Sequence, residues 1–467
     1  MLATDVDEFG LEELAGRLEA PDVAADERWS QIARQAVAEL FGGPAERAFA
    51  VEYWNGVVEP GGATNHGSFG LILNRPGALR RMFLPPTELG IGDAFISGDF
   101  DVVGDLERAA SLRVLSRDRL RSPRRIARLL RLLRRLPADG DRSVTQNGFR
   151  PSWRLLGRRH ARVRDAEAIR FHYDVSNDFY ALWLDEQRVY SCAYFATDHD
   201  DLDRAQTAKL EYICRKLRLQ PGERLLDIGC GWGGLIRHAV RHHGVEAVGI
   251  TLSPSQAEFA RARIADDGLS DRCTIEVRDY RDIQADAPFD KVVSVGMFEH
   301  VGRRQLPGYF RAAYRLTRPG GIFLNHGIVS LGGARERSLA DWLTAMVWRP
   351  GRFIHRYVFP DSELVPLAHV VSCSEAAGWE TRDIESLREH YASTLRHWVR
   401  RLEASEDSAV AAVGRTTFRI WRLNMGVSAH AFSTGAIGVV QMLLSRPNTD
   451  GSCALPRTRA DLYHEAL

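Results

Sequence analysis

The chain has 467 residues, 45% hydrophobic and 26% charged, so a folded protein of two domains, or of one large domain with an appended module, is expected. No apolar run approaches the roughly eighteen residues of a spanning helix, and the most apolar late stretch, "AIGVVQMLL", is too short. The acidic start "MLATDVDEFGLEEL" lacks a secretory pattern. Six scattered cysteines without CxxC spacing argue for reduced thiols in a cytoplasm, not for a disulfide or zinc framework.

The net charge of +1 says little, but its distribution says more. Residues 112–170 hold eighteen arginines against five acids, while the whole chain has three lysines, Lys209, Lys216 and Lys291. Arginine is the default cation here, so only the clustering carries a message.

In chain order, residues 1–115 offer strand-like pieces, "AFAVEYW", "GSFGLILN" and "ALRRMFLP", punctuated by Gly and Pro as in a small α+β domain. "IGDAFISGDFDVVGDLE" reads as its loop-rich, acidic edge. Residues 116–164 form a basic helical linker. In "SPRRIARLLRLLRRLP", Ser122 is an N-cap and Pro123 the first helical residue. Ile126, Leu129, Leu130, Leu133 and Leu136 share one face; Arg124, Arg128, Arg131 and Arg135 take the other. Such a helix packs on its own domain with a solvated face, or lies on an anionic membrane surface. Nucleic acid is not expected, since no aromatic-interleaved basic patch or reading motif accompanies it.

Residues 165–467 alternate strand and helix patterns. The strands are "ERLLDIGCG", "GVEAVGITLS", "CTIEVRDYRD", "FDKVVSVGMFEH" and "GGIFLNHGIV". Near-continuous apolar strands between helices predict a parallel sheet covered on both faces, with ligands at the carboxyl ends of its strands. Gly229, Gly231 and Gly234 fit GxGxxG, so an NAD-type dinucleotide is one reading. Asp227 opposes it, because a carboxylate is awkward beside a pyrophosphate. The second strand also ends at Thr251, without the acid expected on a ribose. A cationic ligand suits Asp227 better, and S-adenosylmethionine (AdoMet) is cationic and has no phosphate. Asp279, after the third strand, is placed to meet the adenine edge.

"LDIGCGWGG" is close to the AdoMet methyltransferase signature. "HYDVSNDFYALWLD", "YSCAYF", "VGITLSPSQ", "GMFEHVG", "NHGI" and "HYASTLRHW" together resemble the cyclopropane-fatty-acyl-phospholipid synthase family, which includes mycolic acid cyclopropane synthases. The resemblance covers roughly residues 165–445 and, more loosely, the small N-terminal domain. It implies an α/β fold: a class I AdoMet methyltransferase Rossmann-like sheet with helices on both faces. The implied activity is transfer of a methyl group to a cis double bond of a phospholipid acyl chain, closing a cyclopropane. Methyl or methylene branching of an oleoyl-type chain is the alternative product.

The resemblance implies two bound groups. AdoMet would meet Tyr190, Ser191, Asp227, Gly229, Gly231, Thr251, Gln256, Asp279 and Tyr280. Bicarbonate, the family's base, would meet Cys192, Glu299, His326, Ile328 through its backbone, and Tyr391. Glu299 is expected at the end of the fourth strand and His326 at the end of the fifth, as a cross-strand pair. His300 is left to helix start and packing, and His172 and Asp174 to ordering a lid over AdoMet. No metal is expected. Tyr391 shares a helix face with Leu395, Trp398 and Leu402. Ser176 and Arg188 depart from the family pattern, and residues 339–360 are expected to line the acyl path. The expected partners are phospholipid acyl chains and an anionic membrane surface, with a homodimer left open. The expected location is the cytoplasm, peripheral on the inner face of the membrane.

Overall fold

The computed structural model describes residues 27–62, 69–112, 119, 122–138, 160–173, 175–284, 287–331, 351–453 and 455–463. They fall into two compact units.

The first unit holds helix α1 (Glu27–Phe41), strands β1 (Ala50–Tyr53), β2 (Val58–Glu59) and β3 (Phe69–Leu73), helices α2 (Ala78–Phe83) and α3 (Glu88–Ile96), strand β4 (Phe100–Gly104) and helix α4 (Pro123–Arg135). Its sheet runs β2-β1-β3-β4, with β1 and β3 parallel and the other pairs antiparallel. Two expectations change here. "ALRRMFLP" is a helix, burying Leu79, Met82 and Phe83, and not a strand. The supposed acidic loop is a helix followed by a strand. Thr87 starts that helix by accepting from the Gly90 N–H at 3.0 Å, and a Cβ on Gly92 would stand 2.3 Å from the Phe353 ring.

Helix α4 lies in the expected linker, whose last described residues, 162–164, already belong to the helix Arg162–Tyr173. Leu129, Leu132, Leu133 and Leu136 join the first unit's core beside Val37 and Leu40. The apolar face is therefore turned from the expected one: Leu132 is buried and Ile126 is exposed. Each such leucine contributes roughly 1.5–3 kcal/mol on burial. Residues 419–430 also belong to this unit. Arg419 donates to the carbonyls of Phe95 (2.8 Å) and Phe100 (2.9 Å) and pairs with Asp101.

The second unit begins with helices α5 (Arg162–Tyr173), α6 (Asn177–Ala181) and α7 (Leu202–Leu217). Strand β5 (Arg224–Ile228), helix α8 (Gly234–His243), strand β6 (Glu246–Thr251), helix α9 (Pro254–Asp266), strand β7 (Cys273–Val277) and strand β8 (Phe289–Val295) follow. Then come helix α10 (Leu306–Leu316), strand β9 (Thr317–Ser330), helix α11 (Leu367–Ala376), strand β10 (Glu380–Ser386), helix α12 (Arg388–Ala404) and strand β11 (Ile437–Ser445). The sheet order is β10-β11-β9-β8-β5-β6-β7. From β9 to β7 all pairs are parallel; β11 runs antiparallel to both β9 and β10. The five expected strands are present. Strands β10 and β11 were not expected; β11 alone runs against the rest of the sheet, and "AIGVVQMLL" supplies it.

Alternation along the strands sorts the two covered faces. Leu225 and Val293 pack with α7, α8 and α9 residues such as Ile213, Ile236 and Ala260. Leu226 and Val292 pack with Phe310, Ala313 and Val370 from α10 and α11. Among the described residues, no helix is long and apolar enough to cross a membrane.

Candidate functional site

A cavity opens at the carboxyl ends of the parallel strands, where an α/β sheet offers its ligand site. All nine residues expected to meet AdoMet line it: Tyr190, Ser191, Asp227, Gly229, Gly231, Thr251, Gln256, Asp279 and Tyr280. The turn after β5 makes room for it. Gly229 has φ +87°, and a Cβ there would press on Met297 at 3.1 Å, so a side chain is disfavoured twice over.

The polar groups of the wall are held in distinct ways. Asp227 is buried, and its Oδ1 has no partner among the described residues. Burial pushes its carboxyl up to about 7, against the opposing pull of the Lys209 ammonium. Lys209 donates to Ser191 Oγ at 3.0 Å, and burial lowers it to about 8. The Thr251 hydroxyl donates to Gln256 Oε1 at 2.8 Å, so these two orient each other. Asp279 accepts from Arg281 through its Nε at 2.8 Å and its backbone N–H at 2.9 Å. Burial opposes ionisation, but the guanidinium holds the carboxyl below its ordinary value. Lys209, Trp232, Arg281, Met297 and His300 also line the cavity and were not anticipated there. The scarcity of lysine was a usable signal for Lys209: a lone lysine inside an apolar helix pattern is costly unless it has a task. His300, expected only to pack, stands in the cavity wall, and burial lowers it to about 4.

Of the expected lid residues, His172 is buried, with Nδ1 2.8 Å from the Val358 carbonyl, while the Tyr180 hydroxyl donates to the His172 carbonyl at 2.7 Å. Tyr190 packs among Tyr180, Trp183 and Trp398 with ring centroids 5.2–5.7 Å apart. Asp174 and residues 339–350 of the expected acyl path lie outside the described residues, while Pro360 lines the cavity. Ser176 caps α6 by accepting from the Phe179 N–H at 3.3 Å. Arg188 lines the cavity.

Four of the five residues expected around bicarbonate, all but His326, are linked by hydrogen bonds and strand register between β9, β11 and α12. Leu387 is the junction. Its N–H donates to the Val439 carbonyl on β11, and its own carbonyl takes the Tyr391 N–H at 3.0 Å and the Cys192 thiol at 3.6 Å. Val439 is the register partner of Ile328 on β9. The Ile328 N–H donates to Glu299 Oε1 at 2.6 Å. Tyr391 rests its ring on Phe432 (4.6 Å) and Trp398 (6.0 Å).

Four details correct the sequence reading. Glu299 does not end a strand: β8 stops at Val295, and Glu299 sits in the 3-10 turn Phe298–His300. His326 lies inside β9, which runs on to Ser330 because β11 pairs with it past the point where β8 ends. Glu299 and His326 do not bond each other; Glu299 holds Ile328, and His326 Nδ1 is 3.2 Å from Gln441 Nε2. The Ile328 N–H is therefore spent on Glu299 and does not stand free for an anion.

What remains open is Glu299 Oε2 and His326 Nε2. Both are buried and without a partner among the described residues. Burial pushes the Glu299 carboxyl up to about 7, and pushes His326 down to about 3 with help from the Lys209 and Lys216 cations. Burial also pushes the Cys192 thiol far up, so it stays protonated. An acid that can keep its proton and a neutral imidazole are donors fitted to a small anion. Gly327 makes the approach possible, since a Cβ there would stand 2.2 Å from the Phe298 ring and 3.0 Å from Glu299 Oε1. Separately, Cys214, His238 and His243 bring potential ligand atoms within 4.8 Å of one another, but none of the three lines the cavity, and Glu211 already bonds both histidines.

Comparison with known proteins places the chain in a family. The family model described as mycolic acid cyclopropane synthetase matches residues 160–442. A probable fatty acid methyltransferase of Pseudomonas putida is 40% identical over 84% of this chain and 91% of its own length. A second, from Mycobacterium tuberculosis, is 37% identical over 83% of this chain and 90% of its own. Among solved structures, the cyclopropane synthase MmaA2 from Mycobacterium tuberculosis superposes with a TM-score of 0.56 at 32% identity, covering 60% of this chain and 98% of that one. The mycolic acid cyclopropane synthase CmaA1, solved with SAH and CTAB, gives 0.56 at 33% identity over 60% and 98%.

Proposed function

The chain belongs to the mycolic acid cyclopropane synthetase family and is an AdoMet-dependent enzyme. From that premise we propose that it adds the methyl carbon of AdoMet to a cis double bond of a phospholipid acyl chain, closing a cyclopropane. It would act as a peripheral enzyme on the cytoplasmic face of a membrane, with bicarbonate as a second bound group. The dinucleotide reading of GxGxxG falls with the same premise. One observation carries the proposal: a cavity walled by the nine residues expected at AdoMet accompanies a buried set in which Glu299 and His326 each keep one polar atom unpaired among the described residues.

AdoMet would supply an electrophilic methyl group, and bicarbonate a base. Around them the chain's own residues have clear tasks. Asp227 places a carboxylate in a buried wall, where it matches a cationic ligand. The Thr251–Gln256 pair and Asp279 fix polar edges at the strand ends. Tyr180, Trp183, Tyr190 and Trp398 keep water from a weak alkene nucleophile that cannot compete with it. Neither Cys192 nor His326 is a ready base at neutral pH, because burial holds Cys192 as the thiol and lowers the proton affinity of the His326 imidazole to about 3. Glu299, fixed through one oxygen by the Ile328 N–H, leaves its other oxygen to hold or accept a proton at the anion site. In the overall balance, one carbon joins both alkene carbons, one proton leaves, and S-adenosylhomocysteine is released.

Methyl or methylene branching is kept as a second reading, supported by the two relatives that span most of the chain and are named fatty acid methyltransferases. Lipids of an expressing host decide between them. A mass gain of one CH2 with proton signals upfield of tetramethylsilane is expected; the same gain with a new methyl or vinylidene signal would favour branching. Replacing Glu299 with Gln should abolish turnover while S-adenosylhomocysteine still binds. Unchanged turnover would remove the anion-site assignment.

A further inference from the structure

Lys216 is one of three lysines in a chain that otherwise uses arginine, and it is buried in α7. Its ammonium pairs with Glu385 of β10, lies 4.6 Å from the centre of the Tyr212 ring, and donates to Gln441 Oε1 on β11 at 2.8 Å. An ammonium carries donors only, so the Gln441 atom facing it must be the carbonyl oxygen. The amide of Gln441 therefore cannot be turned around. Its NH2 group faces His326 Nδ1 at 3.2 Å. An NH2 group also only donates, so Nδ1 must offer its lone pair. Burial keeps His326 uncharged, and a neutral imidazole with a bare Nδ1 carries its hydrogen on Nε2.

We propose that Lys216 and Gln441 are positioning residues that lock His326 as the Nε2–H tautomer, making it a hydrogen-bond donor to the anion of the reaction and not its base. The proposal rests on the anion site of the reading above. Polarity is transmitted across three elements: cation on α7, amide on β11, imidazole on β9. Glu385 completes the chain by keeping the Lys216 ammonium charged although burial opposes it. The register pairing of Gln441 with His326 places amide and ring on adjacent strands, so the tautomer is set by the sheet itself. His326 Nε2, buried and with no partner in the described protein, is then a prepared donor.

Gln441→Glu tests the lock with almost no change of shape. A carboxylate can accept from both neighbours, so it should keep Lys216 and turn His326 to the Nδ1–H tautomer, with Nε2 bare. Nitrogen-15 NMR of histidine-labelled protein reads this directly, with the His326 signals found by difference from His326→Asn. Wild type should show a protonated Nε2 and a bare Nδ1, and Gln441→Glu the reverse. Turnover should fall about 10–100-fold, the range for a lost outer partner. S-adenosylhomocysteine affinity should hold, since Gln441 does not line the cavity. Gln441→Met is the second variant, in case the added carboxylate prevents folding. It should give mixed tautomers and a smaller loss of turnover. A protonated Nδ1 in wild type, or a reversed tautomer with full turnover, would overturn the proposal. If wild type modifies no phospholipid, the proposed function fails, while the NMR result still decides the tautomer.

Discussion

Asp227 is where ligand binding should respond most sharply to pH. Its carboxyl is pushed up to about 7 because it is buried, with one oxygen lacking a partner among the described residues. A cationic ligand binds the ionised form, so affinity should rise as pH rises. With that value the ionised fraction climbs about eightfold between about pH 6 and about pH 7.5. The dissociation constant should fall by the same factor. Lys209, the nearest cation in the wall, is lowered only to about 8 and keeps most of its charge over this range. S-adenosylhomocysteine suits the titration because its amino group stays protonated throughout. Calorimetry in two buffers of different ionisation enthalpy should show close to one proton released per ligand at the acid end, and far less at the alkaline end. Asp227→Asn should remove the slope and weaken binding about tenfold to about a hundredfold at the upper pH, the worth of a lost charge-assisted bond. A wild-type affinity that does not move with pH, or a slope that survives in Asp227→Asn, would refute the reasoning.

Gly327→Ala should cut turnover about a hundredfold by driving Phe298 and Glu299 apart, while kinetics and calorimetry show S-adenosylhomocysteine binding intact, because neither Gly327 nor Phe298 lines the cavity. Leu133→Ala removes a fully buried side chain that joins α4 to its unit's core, and should lower stability by about 2–5 kcal/mol in urea denaturation. If the arginines on the outer side of α4 meet a membrane, vesicles with anionic lipid should retain the protein, added salt should release it, and Arg124→Gln with Arg131→Gln should weaken retention by about 1 kcal/mol per site. Equal binding to neutral vesicles would assign α4 to packing alone.

The parallel half of the second sheet was legible because each strand is an apolar run ended by a turn signal, and because the ligand side of such a sheet is fixed by strand direction. Asp227, Thr251 and Asp279 could be placed by counting along those runs. β10 and β11 escaped for opposite reasons. "ETRDIES" is polar enough to pass for a loop, and "AIGVVQMLL" is apolar enough to suggest something other than a strand. Their antiparallel pairing is made across long sequence separations, which no local period encodes. Glu299 was misplaced for a smaller reason. The apolar run continues through Met297 and Phe298, but Gly296, at φ +68°, turns the chain out of the sheet before the glutamate arrives. The environment of His326 was illegible in principle, since Lys216, Gln441 and His326 meet only after folding.

The burial of the three lysines has a practical side. Lys209, Lys216 and Lys291 all belong to the second unit, and all lie beneath its surface. In the folded protein Lys209 faces only the ligand cavity, Lys216 and Lys291 lie beneath the surface, and a lysine-specific protease finds no accessible site. Cleavage at these positions therefore requires α7 or β8 to open. Proteolysis at lysine thus becomes a clock for local unfolding within the second unit.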